Sequence, residues 1–216
     1  TDEDTPLTIT LTGSDIDEDA LTYSAVSDNE DISVSVVDAE LTFTSSEDYN
    51  GTASVTVTVS DGFLTDSETF TLTITPVNDA PTLDLPLSFT FAEDGTLTDD
   101  FSVYADDIDE DALTLSVTGN INVTVDISGF TVTLGSVQDW NGTETLTFTV
   151  DDSQGRAVAS DDMDVIITAV NDSPVLTSIG DQTTDEDTPL TITLSGSDID
   201  EDALTYSAVS DNNDVA

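Results

Sequence analysis

The 216-residue chain reads as an all-β protein built of seven-stranded β-sandwich modules joined end to end in a linear array. Three observations carry this reading. Short runs alternate apolar residues with Thr or Ser, the period-2 pattern of half-buried strands. Turn residues separate the runs, and no stretch shows helical periodicity. One acidic cassette, Asp-Ile-Asp-Glu-Asp-Ala-Leu, occurs at 15–21, 107–113 and 198–204, so a module of about 90 residues is repeated.

The strands follow in order. Leu7-Thr-Ile-Thr-Leu-Thr12 opens the first repeat, and its outward Thr side chains suit a strand because their branched β-carbon is stiff there. Further strands are expected near 20–26, 32–37, 40–45, 54–60 and 67–75. The second repeat is expected to open with a strand near 82–91, then 96–104, 112–118, 122–127, 130–135, 145–151 and 158–168. Seven short strands per repeat indicate a sandwich. Asp48-Tyr-Asn-Gly51 and Asp139-Trp-Asn-Gly142 precede a strand, where Asn-Gly signals a tight turn. The aromatic in that slot, Tyr49 or Trp140, reads as local packing rather than a sugar platform.

Asn78-Asp-Ala-Pro81 and Asn171-Asp-Ser-Pro174 follow the last strand of each repeat, and Pro ends pairing there. The expected modules are therefore 1–79 (first strand missing), 80–172 (complete) and 173–216 (the N-terminal part of a third). Residues 184–212 repeat residues 1–29 with one change, Thr12 to Ser195. Both ends fall inside a repeat, so the chain reads as an excerpt. The third piece is too short to stand alone and is expected to dock on a neighbour, by lattice contact or strand exchange. An isolated, uncovered hairpin counts against that expectation.

Composition narrows function. The net charge of -46 rests on 47 acids against one base, Arg156. Such a chain has no cationic patch for phosphates, which excludes nucleic acid and anionic membrane surfaces as partners. No apolar stretch is long enough to span a bilayer. The chain has no Cys and no His, so disulfides, zinc-thiolate sites and the usual catalytic bases are absent. An enzyme would also gather its acids in one non-repeating cleft, whereas these recur in every repeat. With 37% hydrophobic residues in regular runs, the chain folds despite its charge.

Asp outnumbers Glu among the acids, and Asp is both a turn residue and a compact oxygen ligand. Carboxylates at i, i+2 and i+4 read as an oxygen cage for a hard cation. A surface adapted to high salt is the rival account of the acidity, and the two can coexist. The EF-hand form of the cage is ruled out: with Asp15 as position 1, Ala20 stands where Gly is required and Val26 where Glu is required.

The wider spacing resembles the cadherin repeat, an Ig-like, Greek-key sandwich. The carriers are Ser14-Asp-Ile-Asp-Glu-Asp-Ala-Leu-Thr-Tyr23, Val59-Ser-Asp-Gly62 and Val77-Asn-Asp-Ala-Pro81. The Glu-Asp-x-Pro-Leu and Asp-Tyr-Asn-Gly segments are similar to the cadherin-like tandem repeats of large RTX-type, biofilm-forming bacterial surface adhesins. The resemblance implies several Ca²⁺ ions at each junction. Ligands at the first would be Glu3, Asp48, Asn78, Asp79, Asp107, Asp109, Asp111 and Asp152. Those at the second would be Glu93, Asp139, Asn171, Asp172, Asp198, Asp200 and Asp202. Asp15, Asp17 and Asp61 match ligands that face a preceding module.

The expected function is thus structural: calcium-rigidified extender modules of a large bacterial cell-surface adhesin, extracellular and held at the outer membrane through the parent protein. They would form a monomeric rod whose partners are neighbouring modules. The alternative is a directly adhesive module binding a partner cell or a polysaccharide.

Overall fold

The computed structural model describes residues 1–155 and 158–211, and Arg156 lies outside them. The chain divides into two compact units, each described by itself. The first comprises Thr1–Pro81 with Asp107–Ala112 and Asp152–Ala157; the second comprises Thr82–Asp106, Leu113–Asp151 and Val158–Ala216.

In the first unit, β1 (Leu7–Thr10), β4 (Glu40–Ser45) and β3 (Ile32–Val37) form one antiparallel sheet in the order β1-β4-β3. Facing it are β2 (Thr22–Ser27), β5 (Gly51–Ser60) and β6 (Thr65–Ile74), in the order β2-β5-β6. Alternation along each strand sends Ile32, Leu41, Phe43, Val55, Leu72 and Ile74 into one core. Phe43 meets Phe70 edge-on with ring centroids 6.1 Å apart. The outer faces are tied by Thr ladders, such as Thr56 to Thr69 at 2.8 Å.

The second unit repeats the plan with one more strand. Here β12 (Val123–Ser128), β13 (Thr131–Ser136) and β9 (Leu97–Asp100) form one sheet. The other runs β11 (Thr114–Thr118), β14 (Gly142–Asp151), β15 (Ala159–Thr168) and β8 (Ser88–Ala92), the last pair parallel. Phe101 and Phe148 are fully buried at the centre with centroids 4.9 Å apart.

The structure corrects three expectations. The strand expected at 82–91 is two pieces, β7 (Thr82–Leu83) and β8, in different sheets; Pro86 between them cannot donate to a ladder. The strand expected at 96–104 breaks after Asp100, whose carboxylate accepts from the Ser102 N–H and caps a 3₁₀ turn over Phe101–Val103. That turn buries Phe101, and the chain resumes as β10 (Ala105–Asp106), which pairs with β7. Finally, Asn50-Gly51 is not the tight turn. The turn lies ahead of it, where the Tyr49 N–H reaches the Ser46 carbonyl, and Gly51 starts β5 at φ +149°.

The tail shows only β16 (Val175–Leu176) paired with β17 (Gly196–Ser197). Its apolar residues stay exposed, Val175 by 66% and Leu176 by 57%. Within a single chain this segment is uncovered, which counts against the expected docking onto the rest of its own chain.

Candidate metal centres

Each acidic cassette folds by the same device. In the first, one oxygen of Asp15 accepts the N–H groups of Asp17 (2.8 Å) and Asp19 (3.2 Å). Asp107 does this for Asp109 (3.0 Å) and Asp111 (3.1 Å), and Asp198 for Asp200 (3.0 Å) and Asp202 (3.3 Å). The fourth residue of each loop, Glu18, Glu110 or Glu201, sits at φ 60–62°. The first Asp thus spends one oxygen on the loop and keeps the other for something else.

In the first unit that remaining oxygen, Asp107 Oδ2, is buried with no hydrogen-bond partner. Around it stand the other acids. Glu3, only 3% exposed, accepts the Val77 N–H through Oε1 at 2.5 Å, while its Oε2 is also buried without a partner. Asp109 Oδ2 accepts the Asp79 N–H at 2.7 Å. Asn78 donates to Asp152 at 2.7 Å and leaves its own Oδ1 buried and unbonded. Oxygens fall within 4.8 Å of one another in three trios: Glu3, Asp79 and Asp109; Asp4, Asp48 and Asp79; Asp107, Asp109 and Asp111. All eight residues expected for this set therefore lie in one unit, with Asp79 and Asp109 each shared between two trios.

The second unit repeats the contacts around Glu93. Its Oε1 accepts the Val170 N–H at 2.7 Å and its Oε2 is buried without a partner. Asp200 accepts the Asp172 N–H at 2.6 Å, and Asn171 turns onto the Asp172 carbonyl at 3.0 Å. Glu93, Asp139, Asp172 and Asp200 line one cleft of about 340 Å³. Among the described residues, however, no trio of these acids closes to the spacing seen in the first set. Asp15 and Asp61 line a separate cleft in the first unit, and Asp17 stands exposed.

A family model described as a bacterial Ig domain matches residues 1–75 and again 78–168. The chain belongs to the bacterial Ig domain family. Among solved structures, the four-repeat ectodomain fragment of Drosophila N-cadherin aligns at 19% identity and a TM-score of 0.52, covering 79% of this chain and 46% of that one. A two-repeat fragment of human protocadherin-24 aligns at 18% identity and a TM-score of 0.50, covering 74% and 88%. Both show the fold of the Ig repeats. An endo-fucoidan hydrolase of glycoside hydrolase family 107 aligns at 21% identity over 78% of this chain; the chain spans 27% of the hydrolase's length, and the TM-score is 0.35. A comparison with curated proteins gives no match.

The electrostatics of the Ig repeats follow from the acid clusters. Desolvation pushes the Asp48 carboxyl above its ordinary range, and the charges of Asp79 and Asp4 push it further. Asp172 is raised in the same way, by desolvation and then by Asp139 and Asp94. Asp152 is lowered instead, because the Asn78 amide and the Gln154 N–H favour its charged form. Sequence reasoning missed Asp4, which joins Asp48 and Asp79. Its signal was in plain sight, since an Asp follows Glu3, Glu93 and Glu186 alike, at φ 55–63° each time. It also missed Gln154, whose amide reaches Asp111 at 3.2 Å.

The donor set fits a hard cation. It consists of carboxylate and carbonyl-type oxygens, includes three buried oxygens without donors, and has no cationic side chain among the described residues to neutralise it.

Proposed function

We propose that these bacterial Ig repeats are calcium-rigidified extender modules of a large bacterial cell-surface adhesin, acting outside the cell to hold a distal binding domain away from it. The supporting observation is that acids from two successive repeats share one compact unit while Glu3 Oε2 and Asp107 Oδ2 stay buried without donors. Burying an uncompensated carboxylate is costly, so a counter-charge belongs there.

Glu3, Asp48 and Asp79, with Asp107, Asp109 and Asp111, would hold Ca²⁺, and Asp152 would orient Asn78. Bound Ca²⁺ supplies positive charge that binds oxygens from both repeats at once. The residues themselves do the rest. The Asp79 and Val77 N–H groups fix the link segment onto Asp109 and Glu3, so the acids are ordered before the cation enters. Without counter-charge the same acids repel one another across less than 4.8 Å. The recurrence of one cassette in every repeat fits a chain selected for reach rather than for a unique surface. A non-catalytic role fits the family and the repeated placement of the acids.

Calorimetric titration of calcium into the chain tests this. Saturable binding is expected, with affinity in the weak extracellular range of roughly 10⁻⁴–10⁻³ M, and weaker for Glu3→Gln. Absence of saturable binding would overturn the proposal.

A further inference from the structure

The first unit has a three-stranded sheet where the second has four. In the second, β8 lies parallel to β15, with Ser88 opposite Asp164 and Ala92 opposite Thr168. In the first, only the end of that strand exists. Thr1 donates from its amino group to the Thr73 carbonyl at 3.1 Å and accepts from the Thr75 N–H at 2.9 Å, and Asp2 bridges Thr75 in parallel. Glu3 N–H then reaches the Thr75 carbonyl, as Glu93 N–H reaches Thr168. Thr1–Asp2 thus sit where Phe91–Ala92 sit, and the β6 edge beyond them carries no further strand among the described residues.

The chain also contains a longer version of this segment. Residues 184–212 repeat 1–29 with only Thr12 changed to Ser195, and they are preceded by residues 174–183. Pro174 stands as far ahead of Glu186 as Pro81 stands ahead of Glu93, so 174–183 is the counterpart of the chain through β7 and β8. In its own unit this tail is uncovered. Leu190 and Ile192 are 47% and 42% exposed, whereas their counterparts Leu7 and Ile9 pack against the first core.

We propose that the tail of a second copy of this chain replaces residues 1–29 in the first unit and completes its sheet. Asp181 then lies opposite Thr71, Thr183 opposite Thr73, and Asp185 opposite Thr75, the register that β8 keeps with β15. Because the exchanged sequences match at all but one position, residues 184–212 re-form the interactions that 1–29 make in the first unit. The added strand, the covered edge and the burial of Leu190 and Ile192 are net gain. Glu186 takes the place of Glu3 at the Val77 N–H, so the acid set keeps its composition. The proposal is independent of calcium. Its opponent is repulsion between two chains of charge -46, which salt screens.

The chain has no Cys, so a disulfide reports the register directly. A chain carrying Thr73→Cys is unfolded and refolded with one carrying Thr183→Cys, at high protein concentration and high salt, then oxidised. Neighbouring strands place these α-carbons about 4.8 Å apart, inside disulfide range. The control replaces Thr73→Cys with Thr69→Cys, four residues along the same edge and about 13 Å out of register. The mixed dimer is expected with Thr73→Cys and lost with Thr69→Cys. Light scattering of the unmodified chain, refolded the same way, is expected to show masses that are multiples of the monomer. A purely monomeric chain, or equal cross-linking in both mixtures, would overturn the proposal.

Discussion

Replacing Asp109 by Asn should change stability in opposite directions with and without calcium. Asp109 belongs to two of the three acid trios, with oxygens of Glu3, Asp79, Asp107 and Asp111 within 4.8 Å. At that separation two charges repel by roughly 1 kcal/mol in water and roughly 3–4 kcal/mol near a protein surface. Asp109 is half-buried, so the lower figure is the safer one for each neighbour. The Asn oxygen can still accept the Asp79 N–H, so the backbone contact survives the change. In chelator the variant should therefore be more stable by about 1–2 kcal/mol, raising Tm by roughly 4–8 °C per kcal/mol for a domain of this size. In excess calcium it loses a ligand. A site filled at 100 times its Kd contributes about 2.7 kcal/mol, so the variant should fall below the parent chain. Thermal melts followed by circular dichroism, in chelator and in calcium, read both arms. If the shift has the same sign in both, the acids do not form a self-repelling cation site.

Other outcomes follow from the same geometry. In chelator, stability should rise as pH falls toward the ordinary carboxylate value of about 3.9, because folded Asp48 and Asp172 hold their protons more tightly than the unfolded chain does. Below that value stability should fall again, as Asp152 and Asp61, whose folded carboxyls are lowered, become protonated; melts across this range check both limbs. Gly51→Ala should destabilise by more than about 1 kcal/mol, measured as a lower urea midpoint, since the backbone is at φ +149° and a Cβ would lie 2.6 Å from the Tyr49 hydroxyl. Glu144→Ala should cost about 1–3 kcal/mol in the same assay, because its carboxylate accepts the N–H groups of Ile121, Asn122 and Val123.

Much of this fold was legible in the sequence. Alternation alone located β3 and β4, because one buried face imposes a strict period of two. The breaks were not legible where a side chain overrode the pattern. Phe101 reads as the next inward residue of a strand, yet Asp100 captures the Ser102 N–H and turns the chain to bury that ring. Gly51 reads as half of a tight turn, but its backbone instead leaves room for Tyr49, which crosses beneath it to the Asn29 amide at 2.6 Å. Within the site, Asp107, Asp109 and Asp111 announced themselves by spacing. The partnership of Glu3 with Val77 did not, since a hydrogen bond between residues 74 positions apart leaves no local trace. Asp4 was overlooked for a related reason. Its role depends on a left-handed backbone that swings it toward Asp48, and a sequence does not display that conformation.

Small-angle scattering on the full chain, with calcium and then with excess chelator, bears most directly on the claim that these acids form a cation-dependent joint. The expected result is one extended, narrowly defined maximum dimension with calcium, together with a higher unfolding temperature. Chelator should broaden the distance distribution and lower that temperature, because the uncompensated carboxylates drive one another apart. Identical scattering curves and melting temperatures in the two conditions would contradict the account.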